Sequence, residues 1–169
     1  CPGVKRYVCQ HIHVKSLNFY NNIVYTPHCL VEDNLQVIPH YNPCIDKDDV
    51  IPFDDRKYNF TFIGAFGTHP LRTQLSDLHN GNDIIIKNTG VWHFQKDINN
   101  RNESRDRYKD VLLNSKFALC PPGTGVSTIR LYEAMAAGST PVVFNSVKVP
   151  LCVDHLVVRC KSVNDISAI

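Results

Sequence analysis

The sequence predicts an α/β fold in which a parallel sheet is covered on both faces. The stretch from Ser115 to Gly138 suggests a buried strand, a Gly/Pro loop, a short helix and a glycine stop, and Pro141-Val142-Val143-Phe144 then opens another strand. From Tyr58 onward, strand-like runs alternate with helical ones, the order that gives parallel strands with helices on each face. Asp83-Ile84-Ile85-Ile86-Lys87 has the short, continuously apolar character of a strand buried on both sides.

Each element follows from local pattern. Residues 6–13 and 23–26 are predicted as short strands, and Leu35-Gln36-Val37-Ile38 as a third, closed by Pro39. From Pro39 to Pro52 the chain holds three prolines and a cluster of acidic residues without periodicity, the composition of a linker. Tyr58 to Gly64 alternates and ends in glycine, as a strand entering a loop does. Leu71 to Leu78 is predicted helical, Asn80-Gly81-Asn82 a turn, residues 95–105 a polar surface loop, and Arg107 to Asn114 a helix. The division expected is residues 1–50 as the end of one domain with its linker, and 51–169 as a ligand-binding domain.

Composition narrows the class. The 169 residues suffice for one domain with a real core, or one domain and part of another. A formal charge of +2 is too mild for nucleic-acid binding. No apolar run approaches the roughly 18 residues of a membrane span. The first residue is Cys1 and no leader follows it, so the chain is expected to be a segment of something longer. Seven cysteines, an odd number with no C-x-x-C spacing, leave the redox compartment open; a Cys152–Cys160 bridge is one arrangement the spacing permits. The sequons at Asn59 and Asn102 are about what an asparagine-rich chain carries by chance.

The chemistry concentrates in the Gly/Pro loop. Pro121 and Pro122 lack N–H groups and Gly123 and Gly125 can turn sharply, which brings the backbone close to a ligand and points the amides from Gly123 to Ser127 at an anion. A tight turn with no ligand has the same composition. Thr128 stands where a dinucleotide fingerprint has its third glycine, and no Lys-Ser/Thr follows, which excludes a P-loop. Arg130 and Glu133 are three residues apart and share a helix face, with Ile129, Tyr132 and Ala136 expected on the core stripe. A cation and a carboxylate suit a nucleoside diphosphate, one for phosphate and one for ribose; the alternative is a surface ion pair. Arg72, in the first helical turn after Gly64-Ala65-Phe66-Gly67, opposes the helix dipole unless an anion answers it.

Two further constellations compete. Cys9, His11 and His13 alternate along a strand and share a face, compatible with a metal cluster but better explained by a strand end lining a cleft. Asp46-Lys47-Asp48 has the D-x-D spacing of metal-dependent sugar-nucleotide enzymes, but lies in the linker rather than at a strand end, as a solvated acidic loop would.

The run Lys116 to Gly123, then Ser127, Arg130, Glu133-Ala134 and Ala137-Gly138-Ser139-Thr140-Pro141-Val142-Val143, resembles the signature of the exostosin family, glycosyltransferase family 47. Phe62-Ile63-Gly64 with Leu71-Arg72, His79-Asn80-Gly81 and Val37-Ile38-Pro39-His40-Tyr41 are similar to the same family, with His40 replacing the second proline of its linker motif. The resemblance covers roughly residues 35–169.

The resemblance implies the Rossmann-like C-terminal domain of a GT-B glycosyltransferase, preceded by the last strands of the N-terminal acceptor-side domain. It implies transfer from a nucleotide sugar, usually a UDP-sugar, to a glycan or glycoprotein acceptor, with inversion, no metal and no further cofactor. Candidate donor-binding residues are then Gly64, Arg72, Gly123, Thr124, Gly125, Ser127, Thr128, Arg130 and Glu133. His11 and His13 are candidates for the base, with Asp54 and Asp55 weaker ones. The alternatives are a metal-dependent GT-A transferase using Asp46 and Asp48, and a non-catalytic exostosin-like subunit that binds a partner or glycan. Homo- or hetero-oligomers with a related subunit are compatible with either. Cellular eukaryotic relatives act in the Golgi lumen, whereas bacterial or viral ones would act in the cytoplasm.

Overall fold

The computed structural model describes residues 47–90, 98–125 and 127–169, together with residue 45 and three two-residue strands nearer the N-terminus. Those strands, β1 (Tyr7–Val8), β2 (Val24–Tyr25) and β3 (Leu35–Gln36), pair in parallel in the order β1-β2-β3. His11, His13, Cys9 and Asp46 lie outside the described residues.

A second sheet holds β4 (Tyr58–Gly64), β5 (Ile84–Asn88), β6 (Ser115–Cys120), β7 (Thr140–Phe144) and β8 (Val158–Cys160). Its order is β5-β4-β6-β7-β8 and every pairing is parallel. This is the α/β, Rossmann-like sheet expected from the sequence. The first strand of the domain lies between the second and third, so the order reverses between β4 and β6. In open α/β sheets the crevice at such a reversal, beyond the strand C-termini, is where ligands bind.

Alternation along the strands builds a core on each side. Ala118, Cys120 and Val143 face Leu131 and Ala134 of helix α3 (Arg130–Ala136) and Leu112 of helix α2 (Ile98–Leu113). Leu119, Val142 and Phe144 face the other way, toward Leu75, Phe62 and Ile166. Burying side chains of this size is worth about 1.5–3 kcal/mol each.

Two expectations need correction, the start of the helix before β6 and the inward face of the helix after it. Helix α2 begins at Ile98 rather than Arg107 and takes in most of the expected 95–105 loop. The sequence of its first turns is polar, so no apolar stripe marks them; Tyr108 and Leu112, one turn apart, mark its inward face. The helix expected over Leu71–Leu78 is present, as one α-helical turn, α1 (Pro70–Gln74), continued as a 3-10 turn over Leu75–Leu78. The inward face of α3 is Leu131, Tyr132 and Ala134, not Ile129, Tyr132 and Ala136: Ile129 is 38% exposed. Cys160 is a buried free thiol, so the Cys152–Cys160 bridge is not formed.

One buried cation ties the edge of the domain together. Arg56 is 5% exposed, and its guanidinium donates to the carbonyls of Ile51, Ser115 (2.7 Å) and Ala137 (2.9 Å) and to Ser139 Oγ (3.1 Å). Ala137 and Ser139 flank Gly138, whose φ of +68° ends α3 in a left-handed conformation. A Cβ on Gly138 would lie 2.8 Å from both Arg56 Nη2 and Val50 Cγ1, so the backbone there has room only for glycine.

Candidate functional site

The crevice between β4 and β6 is spanned by two arginines running in opposite directions. Arg72 comes from α1, after β4, and its Nε donates to Pro122 O, after β6, at 2.8 Å. Its Nη1 donates to Ala65 O at 3.1 Å. Arg130 opens α3, after β6, and its Nη2 donates to Ile63 O, near the end of β4. Both guanidinium groups lie near the ring of Phe62, at 4.3 Å from its centroid for Arg130 and 5.4 Å for Arg72.

The glycines expected to cradle a ligand make room for these arginines. A Cβ on Gly64 would sit 2.9 Å from Arg130 Nη2, and one on Gly123 would sit 3.0 Å from Arg72 Nη2. Neither glycine has a positive φ. Their smallness therefore serves close approach by a side chain rather than an unusual backbone conformation. The expected reason for Arg72, opposition to a helix dipole, has little force in a one-turn helix; its carbonyl bonds hold it instead.

Holding two cations close is electrostatically unfavourable. Burial first, and then the charge of Arg130, pull the Arg72 pKa down to about 10. Burial also works against the charge of Arg130, but Tyr108, Glu133 and Cys120 outweigh it and hold its pKa above the ordinary value. Both groups are charged at neutral pH, and an anion between them would relieve their repulsion. Among the described residues, the buried side-chain polar atoms without a hydrogen-bond partner are Arg130 Nε and Ser127 Oγ. An unpaired buried donor costs about 1–3 kcal/mol, so the Nε of Arg130, a side chain that spans the crevice, points to a missing acceptor there.

Other expected residues line the same region. Ser127 and Thr128 are buried at 2% and 4% exposure, whereas Thr124 is exposed and Gly123 and Gly125 are half-buried. Glu133, one turn along α3 from Arg130, accepts a 2.5 Å hydrogen bond on Oε2 from the Tyr108 hydroxyl. Sequence reasoning does not single out Tyr108. The available signal is a phenol on the inward face of a helix, where its hydroxyl needs a partner. Its ring lies 5.7 Å from the Arg130 guanidinium carbon, and with Thr61, Ile63, Val111 and Arg130 it lines a small pocket.

The remaining candidates are not brought to the crevice by the described structure. Asp48 is exposed on a 3-10 turn (Lys47–Asp49), whose Asp49 meets Lys109 at 2.6 Å. Asp54 and Asp55 are exposed on a second such turn (Phe53–Asp55). Among the described residues no three His, Cys, Asp or Glu side chains are gathered as a metal site, and no helix is long and apolar enough to cross a membrane.

Known proteins share this arrangement of sequence. The family model described as the Exostosin GT47 domain matches residues 5–164. Human ribitol-5-phosphate xylosyltransferase 1 is 33% identical over 103 residues, 60% of this chain and 23% of the relative. Exostosin-1 of Drosophila melanogaster is 32% identical over 104 residues, 54% of this chain and 14% of the relative. The exostosin-1 homolog of Caenorhabditis elegans is 32% identical over 111 residues, 59% of this chain and 29% of the relative. The chain thus spans under a third of the length of each of these relatives. With a family match over nearly its whole length, this chain belongs to the exostosin GT47 family.

Proposed function

We propose that this chain is the donor-binding part of an inverting, metal-independent glycosyltransferase that moves a sugar from a nucleotide sugar, a UDP-sugar, to a glycan or glycoconjugate acceptor. The observation that carries this reading is the crossed arrangement of Arg72 and Arg130 at the β4–β6 reversal, with Arg130 Nε unpartnered. Names of relatives support the reaction class: one is a xylosyltransferase and others are exostosins.

In this reading the diphosphate lies against Arg72 and Arg130, and Glu133 accepts from the ribose hydroxyls. As the glycosidic bond to phosphate breaks, negative charge grows on the departing diphosphate. Two fixed cations in a half-buried crevice stabilise that charge, the role a metal ion has in other transferases. The acceptor hydroxyl attacks from the opposite face of the sugar and gives its proton to a base. His11 and His13 remain the candidates for that base, in the acceptor-side segment. A hetero- or homo-oligomeric partner is compatible with this scheme but not required by it.

The test is calorimetric titration with UDP, GDP and CMP, with and without EDTA, on the wild type and Glu133→Ala. The expected result is UDP binding that survives EDTA and weakens about tenfold in the variant, about 1.4 kcal/mol. Binding abolished by EDTA would favour the metal-dependent alternative using Asp46 and Asp48. Failure of every nucleotide to bind would favour a non-catalytic exostosin-like subunit.

A further inference from the structure

Helix α2 contributes no residue to the proposed contacts with the nucleotide. Yet its Tyr108 touches both charged groups of α3. The hydroxyl donates to Glu133 Oε2 at 2.5 Å, and the ring stands 5.7 Å from the guanidinium carbon of Arg130. The contact with Glu133 joins residues 25 apart in sequence, so it depends on the packing of α2 against the sheet and not on local geometry.

We infer that Tyr108 is the positioning residue of the nucleotide site, fixing the Glu133 carboxylate through its hydroxyl and backing Arg130 with its ring. This rests on the donor-site reading above and names how that site distinguishes a ribose. A glutamate has several rotatable bonds, and ordering it on ligand binding costs conformational entropy. A charge-assisted hydrogen bond from a phenol that is itself packed against the core beside Leu112 removes that cost beforehand. A carboxylate offers about four acceptor positions, so the Tyr108 bond does not use up its capacity for ribose hydroxyls. Burial raises the phenol's pKa far above its ordinary value, so it stays a donor throughout the neutral range.

The two roles of Tyr108 separate chemically. Tyr108→Phe keeps the ring near Arg130 and deletes the hydroxyl, which donates to Glu133 and also meets the Arg130 side chain. The experiment measures the affinities of UDP, 2′,3′-dideoxy-UDP and inorganic pyrophosphate for the wild type, Tyr108→Phe, Glu133→Ala and the double variant. The wild type should prefer UDP to the dideoxy compound. Tyr108→Phe should erode that preference by about fivefold or more while pyrophosphate affinity stays within about twofold. In the Glu133→Ala background, which leaves the Tyr108 hydroxyl no acceptor at position 133, Tyr108→Phe should change neither, because it acts through the carboxylate.

An unchanged ribose preference in Tyr108→Phe overturns the inference, as does equal loss of UDP and pyrophosphate, which a merely structural role produces. Should the single variant fail to fold, the comparison of Glu133→Ala with the double variant still decides. Equal UDP affinities there support the inference and unequal ones overturn it. If the wild type binds UDP with ribose preference and Tyr108→Phe does too, only the role of Tyr108 falls. If the wild type binds no nucleotide, the donor-site reading falls and takes this inference with it.

Discussion

Arg72 and Arg130 exchange places across the β4–β6 crevice: the arginine that follows β4 bonds to Pro122 after β6, and the arginine that follows β6 bonds to Ile63 in β4. Each is therefore both a clasp between two strand ends and a cation presented at the sheet's reversal point. The clasp role makes removal of either arginine a structural event as well as a loss of charge, and the two effects differ between them. Arg72→Ala should weaken UDP binding at least about tenfold, within the 1.5–3 kcal/mol of a charge-assisted hydrogen bond, with the smaller change in melting temperature. Arg130→Ala should weaken binding similarly and lower the melting temperature further, because it strips the closer cation from the Phe62 ring and a donor from Ile63 O. Calorimetry and a thermal melt on the same samples separate the two.

Glycines at the crevice and at the end of α3 should respond differently to alanine. At Gly123 the nearest atom to an added Cβ is Arg72 Nη2 at 3.0 Å, the far end of a flexible side chain. Gly123→Ala should leave stability within about 1 kcal/mol of wild type but reduce UDP affinity, as Arg72 is pushed out of place. At Gly138 the backbone is left-handed and a Cβ also meets Val50 Cγ1 at 2.8 Å. Gly138→Ala should cost about 1–3 kcal/mol of stability, read as a shift in urea midpoint.

Arg56 is a buried cation satisfied by carbonyls and a hydroxyl, and burial lowers its pKa. Replacing it with methionine keeps most of the volume but leaves buried carbonyl groups of Ile51, Ser115 and Ala137 without that donor. About 1–3 kcal/mol per orphaned group bounds the loss, so Arg56→Met should lower the urea midpoint clearly.

Burial pushes the Cys120 thiol up to about 12, well above its ordinary 9, and its Sγ lies against Ala118 O at 3.3 Å. The sign is unfavourable for reactivity: a raised pKa leaves almost no thiolate at pH 8, and thiolate is the reactive form. Among the described cysteines, Cys120 should resist a thiol reagent in the native state and react only on unfolding. Mass spectrometry of peptides labelled before and after denaturation checks this.

The parts of this fold legible from sequence are those with a local signal. β4 alternates and ends in glycine, β6 runs straight into a Pro/Gly loop, Gly81 and Gly138 mark turns and take φ of +76° and +68°, and Arg130 with Glu133 sit on one helix as spaced. Helix α2 is half-hidden because its first turns are rich in asparagine and charge and carry no periodic apolar pattern. The partners of the arginines are not legible at all. The bond from Arg130 joins residues 67 apart and that from Arg72 joins residues 50 apart, so each depends on strand order. Tyr108 escapes for the same reason: its meaning lies in what α2 packs against.

A crystal structure of the protein with UDP is the most direct test of the crossed arginines as a diphosphate site. The diphosphate is expected within hydrogen-bond distance of both Arg72 and Arg130, with a ribose hydroxyl on Glu133. A diphosphate held elsewhere, with the Arg130 Nε still unpartnered, would contradict that assignment.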